Sequence, residues 1–155
     1  MKKEFLKGFT MLVLIMTLAL AAAVVSANGQ SANRMVANIP FEFVVGGESM
    51  PSGEYSVNNA TTDGSAILIQ SADAKNSAIR FTNAVEEKAR TNSRLVFHRY
   101  GQRYFLAEVW KGDSTGRQLL KSRQERAIER ELASLSPKSE SGQNLYEIVE
   151  VAALR

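Results

Sequence analysis

Leu95-Val96-Phe97-His98-Arg99-Tyr100-Gly101-Gln102-Arg103-Tyr104-Phe105-Leu106-Ala107-Glu108-Val109-Trp110 is the densest β signal in the chain. Branched and aromatic side chains, which suit a pleated and half-buried surface, fill it. Only Gly101-Gln102 interrupts the run, so it reads as a hairpin. Loop length then decides which side chains share a face. A two-residue loop at Gly101-Gln102 pairs Arg99 with Tyr104 and mixes polar and apolar groups on both faces. A three-residue loop, Gly101 to Arg103, gathers Leu95, Phe97, Phe105, Ala107 and Val109 on one face. It leaves Val96, His98, Tyr100, Tyr104, Leu106, Glu108 and Trp110 on the other. Register follows the hydrophobic pattern, so the three-residue loop is the expectation.

Upstream, Ala37, Ile39, Phe41, Phe43 and Val45 alternate with polar neighbours as in one half-buried strand. Pro40 cannot donate to a ladder and marks an edge or a bulge there. Gly46-Gly47 and Pro51-Ser52-Gly53 are turns, and a short strand through Tyr55 and Val57 follows. A further strand is expected over about Ser65 to Gln70. Ile79, Phe81 and Val85 alternate in another, and Glu86 to Asn92 reads as a polar loop. Downstream of the hairpin, Lys111 to Arg117 reads as a turn-rich loop. Ser122 with Glu125 fits a capping box opening a helix over about 123–135, with Ile128, Leu132 and Leu135 as its apolar stripe. Ser136-Pro137 stops that helix, Lys138 to Gln143 is a linker, and a last strand is expected over about 145–151, with a short helix as the alternative. The fold class is therefore mainly β: an antiparallel sandwich or small barrel of roughly six to eight strands with one C-terminal amphipathic helix.

Residues 1–27 have a different physics. Lys2, Lys3 and Lys7 precede an apolar run from Phe9 to Val25, which closes on Val25-Ser26-Ala27. A basic head, an apolar middle and small residues before the cut make a secretory signal peptide cleaved after Ala27. The alternative is an uncleaved anchor, since the 17 apolar residues are near the lower limit for a bilayer span. Cleavage predicts export to the periplasm or the medium, and an uncleaved anchor predicts a chain facing outside the cytoplasm, with residues 28–34 a flexible start and 35–155 a single domain. The whole chain has 19 basic and 16 acidic residues. The leader takes Lys2, Lys3, Lys7 and Glu4, leaving 16 basic and 15 acidic residues and a net charge of +1. That near-neutral balance argues against nucleic acid. The absence of cysteine excludes disulfides, thiolate metal sites and cysteine nucleophiles.

Two stretches resemble a family of small exported bacterial proteins. They are Asn38-Ile39-Pro40-Phe41-Glu42-Phe43 with Gly46-Gly47 and Pro51-Ser52-Gly53-Glu54-Tyr55, and Leu95 to Leu106. That family has no assigned activity, so the resemblance implies export and fold and no catalytic residue. Separately, Pro51-x-Gly53-x-Tyr55-x-Val57 is similar to a strand-entry motif of transthyretin-like and carboxypeptidase-regulatory β-sandwiches.

His98, the only histidine, rules out multi-histidine metal sites. As a hydrolase it would need a partner such as Glu108 and a nucleophile such as Ser93, yet no Gly-x-Ser-x-Gly elbow is present. The bland alternative is a half-buried strand histidine. His98, Arg99, Tyr100, Arg103 and Tyr104 interleave bases and aromatics around the hairpin and form the candidate binding surface. Arg126 and Glu129 read as an i,i+3 ion pair on a solvated helix face. No metal, cofactor or catalytic set is expected. The leading expectation is a non-enzymatic exported module binding a protein, an envelope polymer or a small ligand, with membrane contact only through an uncleaved leader. A hydrolase using His98 with Glu108 and a purely structural envelope protein are the alternatives.

Overall fold

The computed structural model describes residues 34–87, 92–135 and 145–155. The expected leader, the expected start up to residue 33, the helix stop at Ser136-Pro137, the linker and most of the loop after Glu87 lie outside them. Among the described residues ten strands form one mainly antiparallel sheet that is not closed into a barrel. They are β1 (Met35–Ile39), β2 (Phe43–Val45), β3 (Glu48–Met50), β4 (Gly53–Asn59), β5 (Ala66–Ser71), β6 (Ser77–Glu86), β7 (Ser93–Tyr100), β8 (Arg103–Lys111), β9 (Thr115–Leu119) and β10 (Glu147–Ala152). A helix, α1 (Arg123–Leu135), lies between β9 and β10. Ten strands exceed the six to eight expected because three short pieces look in sequence like loop or like part of a neighbour.

The first of these is the run through Pro40. Ile39 pairs with Gly53 in β4, whereas Phe43 pairs with Met50 in β3 and, in parallel, with Tyr104 in β8. One alternating run is thus two strands in different parts of the sheet, and Pro40 stands at the break. Its ring removes the donor that a continuous ladder would need. The second piece, β3, returns from a two-residue turn at Gly46-Gly47, whose φ values of 59° and 103° suit glycine. The third, β9, occupies much of the expected loop after Lys111. Gly116 pairs with both Val85 and Trp110, and a side chain there would collide with the Trp110 ring.

The main path runs β1-β4-β5-β6-β9-β8-β7-β10. Its ends meet at a single antiparallel bridge, where Val36 and Leu154 exchange two backbone hydrogen bonds of 2.8 Å. Elsewhere a side chain ties β6 to the β2–β3 hairpin: Arg80 donates from Nε to the Val45 carbonyl and pairs with Glu48 at 2.8 Å. The core inside the curved sheet collects Met35, Ile39, Phe43, Val45, Tyr55, Val57, Ile67, Ile69, Leu95, Phe97, Leu106 and Val109. Burial of such side chains is the main favourable term for a domain without disulfides. The Tyr55 hydroxyl is satisfied within its own motif, donating to the Pro51 carbonyl at 2.8 Å.

The hairpin corrects the expected register. Tyr100 pairs with Arg103, so the loop is the two-residue Gly101-Gln102 and Arg99 does face Tyr104. A β-bulge resolves the conflict that argued against this loop. Val96 opposes Glu108 but Phe97 opposes Leu106, leaving Ala107 as the extra residue. Leu106 therefore joins Leu95, Phe97 and Val109 in the core, while Phe105 moves to the outer face beside His98 and Tyr100. The alternation in β6 runs against the core as well. Ile79 and Phe81 point outward, 59% and 74% exposed, and Ala78 and Thr82 are the buried residues.

Candidate functional site

His98 and Tyr100 are two apart on β7 and so project from the same, outer face. That face is covered by α1. Ser122 caps the helix as expected, its Oγ accepting the Glu125 N–H at 3.0 Å. The Glu125 carboxylate does not turn back to complete the capping box. Glu125 is the buried residue of α1, whereas Ile128 and Leu132 of the expected apolar stripe are only half-buried and Leu135 is exposed. The helix thus meets the sheet through carboxylates. Glu125 and Glu129, four apart, share one helix face and both reach β7.

His98 Nδ1–H donates to Glu125 Oε1 at 2.9 Å, with both side chains buried. The Tyr100 hydroxyl donates to Glu129 Oε1 at 2.6 Å and lies 3.3 Å from Glu125 Oε1. Lys121 Nζ donates to Glu129 Oε1. Tyr146, just before β10, completes the cluster. Its ring stacks on the His98 ring at 3.8 Å and 26°, and Lys121 Nζ lies 5.3 Å from the Tyr146 centroid. Burial, reinforced by the hydrogen bond to Glu129 and the charges of both carboxylates, holds the Tyr100 hydroxyl far above the ordinary phenol range. Burial pushes Glu129 up, but its bonds from Lys121 and Tyr100 outweigh this and leave it below the usual carboxylate value. Burial likewise pushes Lys121 down, and Glu129 more than reverses it, so the ammonium is held above its ordinary value.

These shifts have a testable consequence. A depressed folded carboxyl contributes stability above its unfolded value of 4.5, and that contribution is lost as pH falls through the depressed folded value. The Lys121 contribution is present below 10.5 and is lost as pH rises through the raised folded value. On acidification from neutral pH to about pH 3, the wild type will lose more thermal stability than Glu129→Gln. Thermal unfolding at the two pH values measures this, and equal losses in the two proteins would refute it.

The five residues expected to form one surface are divided. His98 and Tyr100 are buried in the network under α1. Arg99 lies beyond the α1 network, its Nε donating to the Gly101 carbonyl at 2.9 Å and its Nη1 to Glu147 Oε2 at 3.1 Å. Tyr104 stacks on Phe41 at 3.9 Å, and Arg103 stands exposed at the tip with its guanidinium 5.6 Å from the Phe105 ring. The carboxylate that meets His98 is Glu125. Glu108 Oε2 instead accepts the Trp110 Nε1–H at 2.8 Å. Ser93 begins β7 five residues from His98, about 17 Å along the strand. Among the described residues no group of three or more His, Asp or Glu is placed to hold a metal ion. No helix among them is long and apolar enough to cross a membrane.

Beside the network runs an open groove of about 780 Å³ lined by Lys121, Arg126, Glu129, Arg130, Ala133, Leu145 and Tyr146. A second hollow of about 460 Å³ shares Leu145 and Tyr146 and continues to Arg99, Gly101 and Glu147. None of the α1 residues in this groove, nor Leu145 or Tyr146, was among the expected site residues. The signal for the network was present as Glu125 and Glu129 at one-turn spacing. In sequence Glu125 reads as a capping partner and Glu129 as the partner of Arg126, because the sheet face beneath the helix that draws both inward is not visible there. No protein-family model matches the chain, and no curated protein or solved structure matches it either.

Proposed function

We propose that this protein is an exported, non-enzymatic binding module whose ligand lies in the groove between α1 and Leu145-Tyr146. The observation that carries this reading is how the single histidine is used. His98 is held by Glu125 and stacked under Tyr146, so the side chain best suited to proton transfer serves to seat the helix and one wall of the groove. A concave surface with an apolar base and a few polar groups is the usual form of a ligand site. The basic head, apolar run and small-residue end of residues 1–27 support export, as does the resemblance to small exported bacterial proteins. An envelope polymer is the partner class that this location offers.

Titration of the purified protein with charged and neutral oligosaccharide trimers, followed by amide NMR, tests the reading. Shifts clustered at Arg126, Arg130, Ala133, Leu145 and Tyr146 are expected. Shifts confined to the hairpin tip at Gln102 and Arg103 would overturn the site, and cleavage of a probe during the titration would overturn the non-enzymatic assignment.

A further inference from the structure

We infer that the groove along α1 selects a carboxylated oligosaccharide. This rests on the groove being the binding site and adds the chemistry of what it takes. The argument begins with the helix sequence. Arg126 and Glu129 are spaced to neutralise each other on a solvated face. In the structure Glu129 turns inward instead, its carboxylate receiving Tyr100 and Lys121. Among the described residues no carboxylate pairs with Arg126 or with Arg130. Arg130 Nε donates to the Arg126 backbone carbonyl at 3.2 Å, which holds the Arg130 side chain back along the helix toward position 126. The groove lining therefore carries three cations against one carboxylate, and that carboxylate is already occupied.

Two like charges one turn apart repel on a helix, and an anion bridging them turns that repulsion into attraction. Their Cβ atoms lie about 6 Å apart, so a ligand with repeated acidic groups can meet both. A guanidinium presents a planar fork of donors that matches carboxylate oxygens two at a time. The rest of the groove lining is different in character. Ala133, Leu145 and the Tyr146 ring form an apolar base. A uronate oligomer has both features, carboxylates at regular intervals and pyranose rings with an apolar C–H face. An inorganic polyphosphate supplies the charge but nothing for the apolar base to cover. A neutral sugar supplies the ring but leaves the arginines uncompensated.

Calorimetric titration with trigalacturonate, maltotriose and sodium triphosphate as probes distinguishes these chemistries. Trigalacturonate is expected to bind, with affinity falling as salt is raised, because the arginines lie in an open groove where ions screen them. Arg126→Gln and Arg130→Gln should each weaken it about tenfold, the usual worth of one charge-assisted hydrogen bond. Both positions are exposed, so the variants should unfold at the wild-type temperature, which confirms that the loss is local. Equal binding of maltotriose, with NMR shifts in the groove, would overturn the acidic specificity while leaving the groove as the site. Triphosphate binding in place of trigalacturonate would overturn the saccharide. Binding of trigalacturonate that is indifferent to both arginine variants would overturn the inference, and shifts elsewhere on the protein would remove the site itself.

Discussion

Phe97→Ala will lower the free energy of unfolding by about 3–5 kcal/mol, the usual range for an aromatic ring removed from a packed core. Phe97 has no exposed surface and sits at the point where separate parts of the sheet converge. Its ring meets Phe41 edge-on at 5.2 Å and Phe43 edge-on at 5.5 Å. Such geometry adds about 0.5–1.5 kcal/mol per pair beyond the area buried. Across the ladder it opposes Leu106, the residue that the bulge turns inward. Three elements thus depend on one ring: β7 through its backbone, β2 through Phe43 and the crossing after Pro40 through Phe41. The cavity is not easily refilled, because Phe43 is also wedged edge-on against Tyr55 at 5.0 Å. Chemical denaturation measures the change. Phe81→Ala is the matched control, since the same side chain on the outer face of β6 should change stability by no more than about 0.5 kcal/mol. A loss below about 1 kcal/mol for Phe97→Ala would mean that the core is not organised around this ring.

Glu125→Leu will cost about 2–4 kcal/mol, because it leaves the buried His98 Nδ1–H without its acceptor. Tyr100 keeps its 2.6 Å bond to Glu129, so the loss falls mainly on the histidine. Glu125→Gln retains an oxygen at the same position and should cost about half as much, losing the charge but not the acceptor. The instructive variant is His98→Leu combined with Glu125→Leu. When both partners of a buried polar pair become apolar, the stranded donor disappears, and the double variant should be more stable than Glu125→Leu alone. A double-mutant cycle by denaturation isolates the coupling, and strictly additive losses would refute the pairing. Because Tyr146 stacks on His98, the same variants should also disturb the Tyr146 side of the groove.

Turns and strand breaks were legible wherever the chemistry of one residue sets them. Gly46-Gly47 makes the tight turn expected, and Gly101-Gln102 closes the hairpin. The helix runs from Arg123 to Leu135 as its cap at Ser122 required. Alternation was a poorer guide to faces. It assumes one buried side and one wet side, and β7 violates that assumption. Leu95 and Phe97 face the core while Val96, His98 and Tyr100 are buried on the outer side. With both faces covered, sorting residues by polarity could not reveal the register, and it favoured the wrong loop. In β6 the larger apolar residues Ile79 and Phe81 face outward, and the small Ala78 and Thr82 are the buried ones.

The candidate site shows the same division more sharply. Local chemistry alone places a capped helix after β9, a hairpin carrying His98 and Tyr100, and a charge pattern in which acids and bases alternate along α1. Which acids face inward is a property of what lies beneath the helix. Glu125 and Glu129 turn toward His98, Tyr100 and Lys121 because a buried donor without an acceptor costs more than an exposed ion pair is worth. That preference exists only once β7 lies under α1. It removes Glu129 from Arg126, and the basic groove is what remains.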